Sequence, residues 1–165
     1  MERLKRLERL ELSAGALRLL RSARIGHLAT SDKSGQPHVV PICFVFDGTD
    51  FFSPIDEKPK RTAAQKLKRL KNIRANPRVS LVIDRYDEDW TKLGYVLVFG
   101  TARILSRGEK HRKAVRLLRR KYRQYRSMAI QERPMIVIRP SRVITWGSVG
   151  TKLDVAVVAN RKSKI

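Results

Sequence analysis

The fold is decided by residues 25–46, which read IGHLATSDKSGQPHVVPICFVF. Two runs rich in apolar and β-branched residues flank a polar turn that contains Gly35, and this pattern predicts a β-hairpin. Pro41 has no main-chain N–H to donate to a sheet ladder, so we expect its strand at an edge or a bulge. A second turn at residues 47–48 and the apolar run 51–53 then predict a third antiparallel strand rather than a βαβ unit.

The rest of the chain contributes helices and further strands. Apolar side chains at three- and four-residue intervals predict helices over about 60–75 and 108–125. Apolar, β-branched runs predict strands over 78–85, 95–105 and 134–146, the last interrupted near Pro140. Six strands joined mostly by turns predict a mainly β, α+β protein, built as a small antiparallel barrel flanked by helices.

The chain of 165 residues, 42% of them apolar, is expected to form one domain with a hydrophobic core. We place N-terminal helices in residues 1–22, with Ser13 as the cap of a second helical segment, the barrel in 23–146 and a tail in 147–165. No segment approaches the roughly 18 apolar residues of a membrane-spanning helix, and the first residues are charged rather than signal-like. We therefore expect no membrane span and a cytoplasmic location.

Charge is the most unusual property of the composition. Lys and Arg number 37 against 15 Asp and Glu, so the formal net charge is +22. Residues 58–78 hold nine basic side chains and no acid, and residues 107–126 hold ten with the single acid Glu109. Such blocks attract nucleic acid, an anionic membrane surface or a phosphorylated small molecule, and charge alone does not choose among them.

Several classes of chemistry lack their usual residues. The sequence has no serine-hydrolase, P-loop or dinucleotide-binding motif, and its single cysteine, Cys43, excludes an internal disulfide and is read as a small core residue. His27, His38 and His111 have no partner at metal-ligand spacing, so no metal site is expected. The acidic turn 84–89 is read as solvated rather than as a cation site. No catalytic acid or base can be assigned.

A phosphate-binding loop is the strongest local prediction. The segment 53–62 reads SPIDEKPKRT, and it places Lys58, Lys60, Arg61 and Thr62 at the predicted start of a helix. Lysine, arginine and a hydroxyl at a helix N-terminus supply charge, hydrogen bonds and the positive end of the dipole together. Basic residues are otherwise unfavourable at that end of a helix, which favours a binding role for them.

Taken in order, the motifs resemble those of a known superfamily. They read HLAT and GQPHVVP within 27–41, FS at 52–53, KPKRT at 58–62 and NIRANPRVSL at 72–81. This order is similar to that of the pyridoxamine 5'-phosphate oxidase-like, FMN-binding split β-barrel superfamily, and DRYDEDW at 84–90 resembles its probable F420-dependent subgroup. The resemblance covers about residues 23–146 and implies a six-stranded split β-barrel of the flavin-reductase type, a homodimer, and two cofactor sites at the dimer interface.

Cofactor contacts follow from the resemblance by position. The residues expected along the cofactor ring are His38, Val39, Val40, Pro41, Phe52 and Ser53. Those expected at its phosphate are Lys58, Lys60, Arg61 and Thr62, with help from Arg69 and Lys71. Trp90 and Trp146 are expected as an aromatic wall contributed by either subunit, and an indole such as that of Trp146 could equally fill the core.

The leading hypothesis is an F420- or FMN-dependent oxidoreductase that passes a hydride between its cofactor and a small conjugated substrate. F420 is the first choice because its anionic oligoglutamate tail suits the dense Lys and Arg, whereas FMN needs only the phosphate cluster. One alternative is a basic nucleic-acid-binding protein on a barrel scaffold, although non-specific charge is its main support. The other is a haem- or bilin-binding relative that uses one of the three histidines.

Overall fold

The computed structural model describes residues 12–56 and 67–150 and the main chain of a strand at 155–157. Within these residues the chain forms three α-helices, eight strands and short 3₁₀ turns. The helices are α1 (Ala14–Ser22), α2 (Lys68–Ala75) and α3 (Glu109–Lys121). The strands are β1 (Gly26–Ser31), β2 (Pro37–Ile42), β3 (Val45–Phe46), β4 (Phe51–Pro54), β5 (Arg78–Arg85), β6 (Gly94–Leu105), β7 (Met135–Gly147) and β8 (Val155–Val157).

The strands form one antiparallel sheet that curls into a split barrel. Their order is β2-β1-β5-β6-β7-β4-β3, and β8 pairs with β7 beside this path. The residues that follow β2 lie close to β4 near the other end of this order. The ring of Phe44, after β2, is 6.3 Å from the ring of Phe51 on β4. The predicted α+β class and antiparallel barrel are therefore confirmed, with eight described strands where six were predicted. Among the described strands β2 pairs only with β1, so Pro41 lies in an edge strand as predicted.

Two strand boundaries differ from the sequence prediction. The apolar run 38–46 divides into β2 and β3, because the Tyr122 hydroxyl accepts a hydrogen bond from the Phe44 N–H (2.9 Å) and takes that residue out of the ladder. In contrast, β7 continues through Pro140, and the expected interruption is a bulge in which the β6–β7 register shifts between Phe99 and Gly100.

The helices begin at residues that the sequence identified only in part. Ser13 caps α1 as predicted, since its hydroxyl accepts a hydrogen bond from the Ala16 N–H (3.0 Å). The predicted helix over 60–75 is not continuous, because Leu67 has a ψ of 129° and α2 begins at Lys68. Residues 57–66 lie outside the described part of the chain. None of the described helices is long and apolar enough to cross a bilayer.

Two apolar clusters hold the fold together. The first lies inside the barrel and includes Leu28, Leu81 and Val98. The second lies between the sheet and α3 and includes Phe52, Val115, Leu118, Tyr125 and Val137. Burial of such side chains is the main favourable contribution to folding. Cys43, which the sequence assigned to the core, is half-buried against the second cluster.

Candidate functional site

Helix α2 fixes the β1–β2 hairpin on one side of the predicted cofactor site. The Asn72 amide donates to the Thr30 hydroxyl (3.0 Å), and the Asn76 amide donates to the Ser31 hydroxyl (2.9 Å). Thr30 is the ladder partner of His38 on β2. Arg69 precedes Asn72 by one helical turn and therefore lies on the same side of α2. The fold thus brings Arg69 and His38, two predicted cofactor contacts, to the same junction.

Polar atoms without a protein partner collect at this junction. In the described part of the chain, Arg69 Nε, His38 Nδ1 and Asn72 Oδ1 are buried and form no hydrogen bond. Burial lowers the pKa of the Arg69 guanidinium, and the nearby Asp56 carboxylate opposes that shift. A buried polar atom without a partner costs free energy, so these three atoms make the junction a candidate ligand site.

The donor set fits a phosphate ester. Arg69 lies in the first turn of α2, where main-chain N–H groups and the helix dipole add to its charge. A guanidinium can bind phosphate through two parallel hydrogen bonds. Lys71 does not join this group, because it is exposed and lies about 200° around the helix from Arg69. Lys58, Lys60, Arg61 and Thr62 lie outside the described residues and stay predictions.

The predicted ring contacts differ in accessibility. On the edge strand β2, Val39 is 60% exposed, Pro41 is exposed, and His38 and Val40 are half-buried. Ser53 is buried on β4. The Phe52 side chain is also buried, within the cluster under α3, so only its main chain can reach a ligand.

The two tryptophans lie on the surface of the described chain. The Trp146 ring stacks on Tyr95 with centroids 5.6 Å apart and planes at 17°, and the residue is 44% exposed. Trp90, in a 3₁₀ turn after β5, is 74% exposed. Of the two roles left open for Trp146, filling the core is therefore excluded. A wall for a flat ligand stays a prediction for both residues.

A polar contact that sequence reasoning missed joins the end of β4 to the residues after α3. The Tyr125 hydroxyl donates to Asp56 Oδ2 (2.8 Å), and it also lies against the Cys43 thiol at the end of β2. Burial raises the pKa of Tyr125 well above its ordinary value. No local pattern could have revealed this contact, because Asp56 and Tyr125 are 69 residues apart.

Two of the three histidines, His27 and His111, and the acidic turn have partners within the protein. His27 Nδ1 lies 3.9 Å from an Asp84 carboxylate oxygen on the surface, and His111 is buried with its Nε2 2.9 Å from the Arg133 carbonyl oxygen. Asp89 accepts hydrogen bonds from the N–H and hydroxyl of Thr91. Within the described residues, no group of three or more His, Cys, Asp or Glu side chains could hold a metal ion.

The curled antiparallel sheet and its flanking helices define a protein of the split β-barrel class. The sequence model of the pyridoxamine 5'-phosphate oxidase family matches residues 13–147, which is most of the chain. The chain therefore belongs to the pyridoxamine 5'-phosphate oxidase family, in agreement with the resemblance seen in its motifs.

A curated relative and several solved structures are similar to this chain. A 5a,11a-dehydrotetracycline/5a,11a-dehydrooxytetracycline reductase from Streptomyces rimosus is 31% identical over 135 residues, which cover 79% of this chain and 80% of the relative. A conserved hypothetical protein from Mycobacterium tuberculosis matches with a TM-score of 0.64 at 23% identity, over 87% of this chain and 95% of that chain.

A haem-binding protein from Mycobacterium smegmatis has a TM-score of 0.68 at 18% identity. The match covers 88% of this chain, which spans only 58% of that protein's chain. At this identity the similarity establishes a shared fold only.

Proposed function

We propose that this protein is an oxidoreductase that binds F420 or, as second choice, FMN, and passes a hydride between the cofactor and a small conjugated substrate. Membership of the family and the 31% identical reductase support this class of activity. That relative is named for a dehydrotetracycline, which is a conjugated polycycle. A substrate of this general kind fits hydride addition to a polarised double bond.

Arg69 is the observation that carries the proposal. It is a half-buried cation at the start of α2, its Nε has no protein partner in the described chain, and it lies beside the hairpin predicted to contact the cofactor ring. In this proposal Arg69 binds the cofactor phosphate and the open edge of β2 orients the ring. The bound cofactor supplies or accepts the hydride. The chain contributes position and exclusion of water, so no acid–base pair is required.

F420 is preferred over FMN because of charge. F420 carries carboxylates along its tail in addition to the phosphate, and the net charge of +22 favours the more anionic ligand. Weak binding of nucleic acid through non-specific charge is expected in any case. A cytoplasmic location stays part of the proposal.

The test is a separate titration of the dialysed protein with F420 and with FMN, followed by ring fluorescence. We expect saturable binding of one of them at one molecule per chain. Arg69→Ala should weaken cofactor binding about tenfold or more, because a charged hydrogen bond contributes on the order of 1.5–3 kcal/mol. Lys71→Ala removes the same charge from the other side of α2 and should change the affinity little. If neither cofactor binds, the proposal is wrong.

We also propose that two copies pair through the outer face of the barrel. Ladder pairing aligns Val39, Ala29, Ser80 and Phe99 in one row across four strands, on the side opposite the core. Val39 is 60% and Phe99 37% exposed. The stacked Tyr95 and Trp146 extend the same face. An exposed apolar face of this kind marks a protein interface, and a second copy is the partner that the family resemblance implies.

A further inference from the structure

A cavity that the proposed cofactor contacts do not use lies between the end of β2 and the residues after α3. Its volume is about 570 Å³, within the usual range for small-molecule sites. Ile25, Cys43, Tyr122 and Met128 supply apolar, sulfur and aromatic walls. We call it the Cys43 cavity.

The aromatic wall of the Cys43 cavity is held rigidly. The Tyr122 hydroxyl accepts a hydrogen bond from the Phe44 N–H (2.9 Å) and lies 2.8 Å from the carbonyl oxygen of Arg24. The Tyr125 ring lies 5.2 Å from that of Tyr122 and is anchored through its hydroxyl to Asp56. Tyr122 is 7% and Tyr125 2% exposed, so the two rings form a rigid base beneath the cavity rather than an open stacking surface.

The charged side chains that line the cavity are arginines. Arg24 and Arg123 line it, and its lining in the described chain includes no Asp or Glu. The Arg24 guanidinium lies over the Tyr122 ring, with Cζ 5.6 Å from the centroid. Behind the wall, Lys121 Nζ lies 3.9 Å from the centroid of the Phe44 ring. An anionic group would therefore complement the rim while an aromatic body fills the interior.

The cavity adjoins both parts of the proposed cofactor site. Cys43 follows Pro41 by two residues, a distance of about 7 Å along an extended chain. On the other side, the contact between Tyr125 and Asp56 connects the cavity to the end of β4, just before the predicted phosphate loop. A ligand in the cavity would thus lie next to the strand proposed to orient the cofactor ring.

We propose that the Cys43 cavity binds flat aromatic anions, namely phenolates, enolates or aromatic carboxylates. The further assignment of such compounds as the substrate class rests on the proposed oxidoreductase function. The walls hold the ring system by apolar contact, chiefly from Ile25, Cys43 and Met128, and the two arginines hold the anionic oxygen. The binding step itself requires no cofactor.

The test compares 3-hydroxy-2-naphthoate with 2-naphthol, which has the same ring system but no carboxylate. Isothermal titration calorimetry of the full chain should give at least tenfold tighter binding of the naphthoate. Arg123→Ala should remove most of this preference. The control Arg112→Ala changes an arginine of α3 that pairs with Glu109 (2.7 Å), and it should leave the preference intact.

The single cysteine localises the ligand. Saturating naphthoate should slow alkylation of Cys43 by iodoacetamide, measured from the intact mass. Three results would overturn the proposal: equal affinity for the two ligands, an Arg123→Ala protein with unchanged preference, or Cys43 labelling that saturating naphthoate does not slow.

Arg69→Ala should weaken cofactor binding but not naphthoate binding. A protein that binds naphthoate but neither F420 nor FMN would therefore contradict only the oxidoreductase proposal.

Discussion

Asp32 connects two parts of the fold through one carboxylate. Its Oδ1 accepts hydrogen bonds from the N–H (3.0 Å) and hydroxyl (2.7 Å) of Ser34 and from the Gln36 N–H (3.1 Å), and so shapes the turn between β1 and β2. Its Oδ2 lies 2.9 Å from Lys68 Nζ at the start of α2. The Ser34 and Lys68 hydrogen bonds hold the pKa of Asp32 well below its ordinary value.

The lowered pKa of Asp32 predicts how the stability of the protein depends on pH. A carboxyl group with a lowered folded-state pKa stabilises the protein above its unfolded value of 3.8, and this contribution is lost as the pH falls toward the folded-state pKa. Asp32→Asn should therefore lower the free energy of unfolding at pH 7, and the difference from wild type should shrink below about pH 4. Urea unfolding of both proteins between pH 2 and 7 measures this difference in the free energy of unfolding. Glu88→Gln, at an exposed site, should track wild type, and a difference for Asp32→Asn that is independent of pH would contradict the prediction.

At the scale of elements, local pattern predicted where strands and helices occur better than where they begin. The hairpin, the edge position of Pro41 and the cap at Ser13 depend on neighbouring residues, and all three are confirmed. The predicted continuity of the helix through Leu67 was wrong, because Leu67 fits the helical spacing of apolar residues although its main chain is extended. The break before β3 depends on the Tyr122 hydroxyl, 78 residues away from Phe44. Contacts so distant leave no local pattern.

The β6–β7 bulge requires a residue without a side chain. A Cβ on Gly100 would lie 2.3 Å from the Arg139 carbonyl oxygen, so the ladder would have to shift. Gly100→Ala should therefore destabilise the protein by about 1–3 kcal/mol, the usual range for overpacking. Chemical denaturation measures this loss. Thr101→Ala, at an exposed neighbour on the same strand, is the control, and equal stabilities of the two variants would show that the bulge accommodates a methyl group.

At the scale of the whole molecule, the proposed cofactor site was predicted partly from the basic segment 58–62 and partly from the family resemblance. Arg69 and the β2 residues were identified through ordered motifs, and the structure adds that Arg69 carries the unpaired buried donor. The Cys43 cavity was not foreseen. It forms where the end of β2 meets the residues after α3, and only the closed barrel brings those segments together.

The proposed dimer is tested on the outer face of the barrel. Phe99→Asp places a charge in the centre of the aligned row and should convert the dimer to a monomer, because an unpaired charge is costly in an apolar interface. Sedimentation equilibrium gives the mass. Tyr86→Asp changes a more exposed aromatic residue outside the row and should leave the dimer intact. A monomeric wild-type protein, or a dimeric Phe99→Asp variant, would exclude this face as the interface.

The edge position of β2 has a consequence for self-association. Along a strand, alternate residues direct their main-chain groups to the same side, and of Pro37, Val39 and Pro41 only Val39 has an N–H. Proline in a sheet occupies positions whose missing donor faces away from the neighbouring strand. The open side of β2 therefore offers a single donor, too few to template another chain. This edge therefore resists pairing with another chain while it stays accessible beside the proposed ligand.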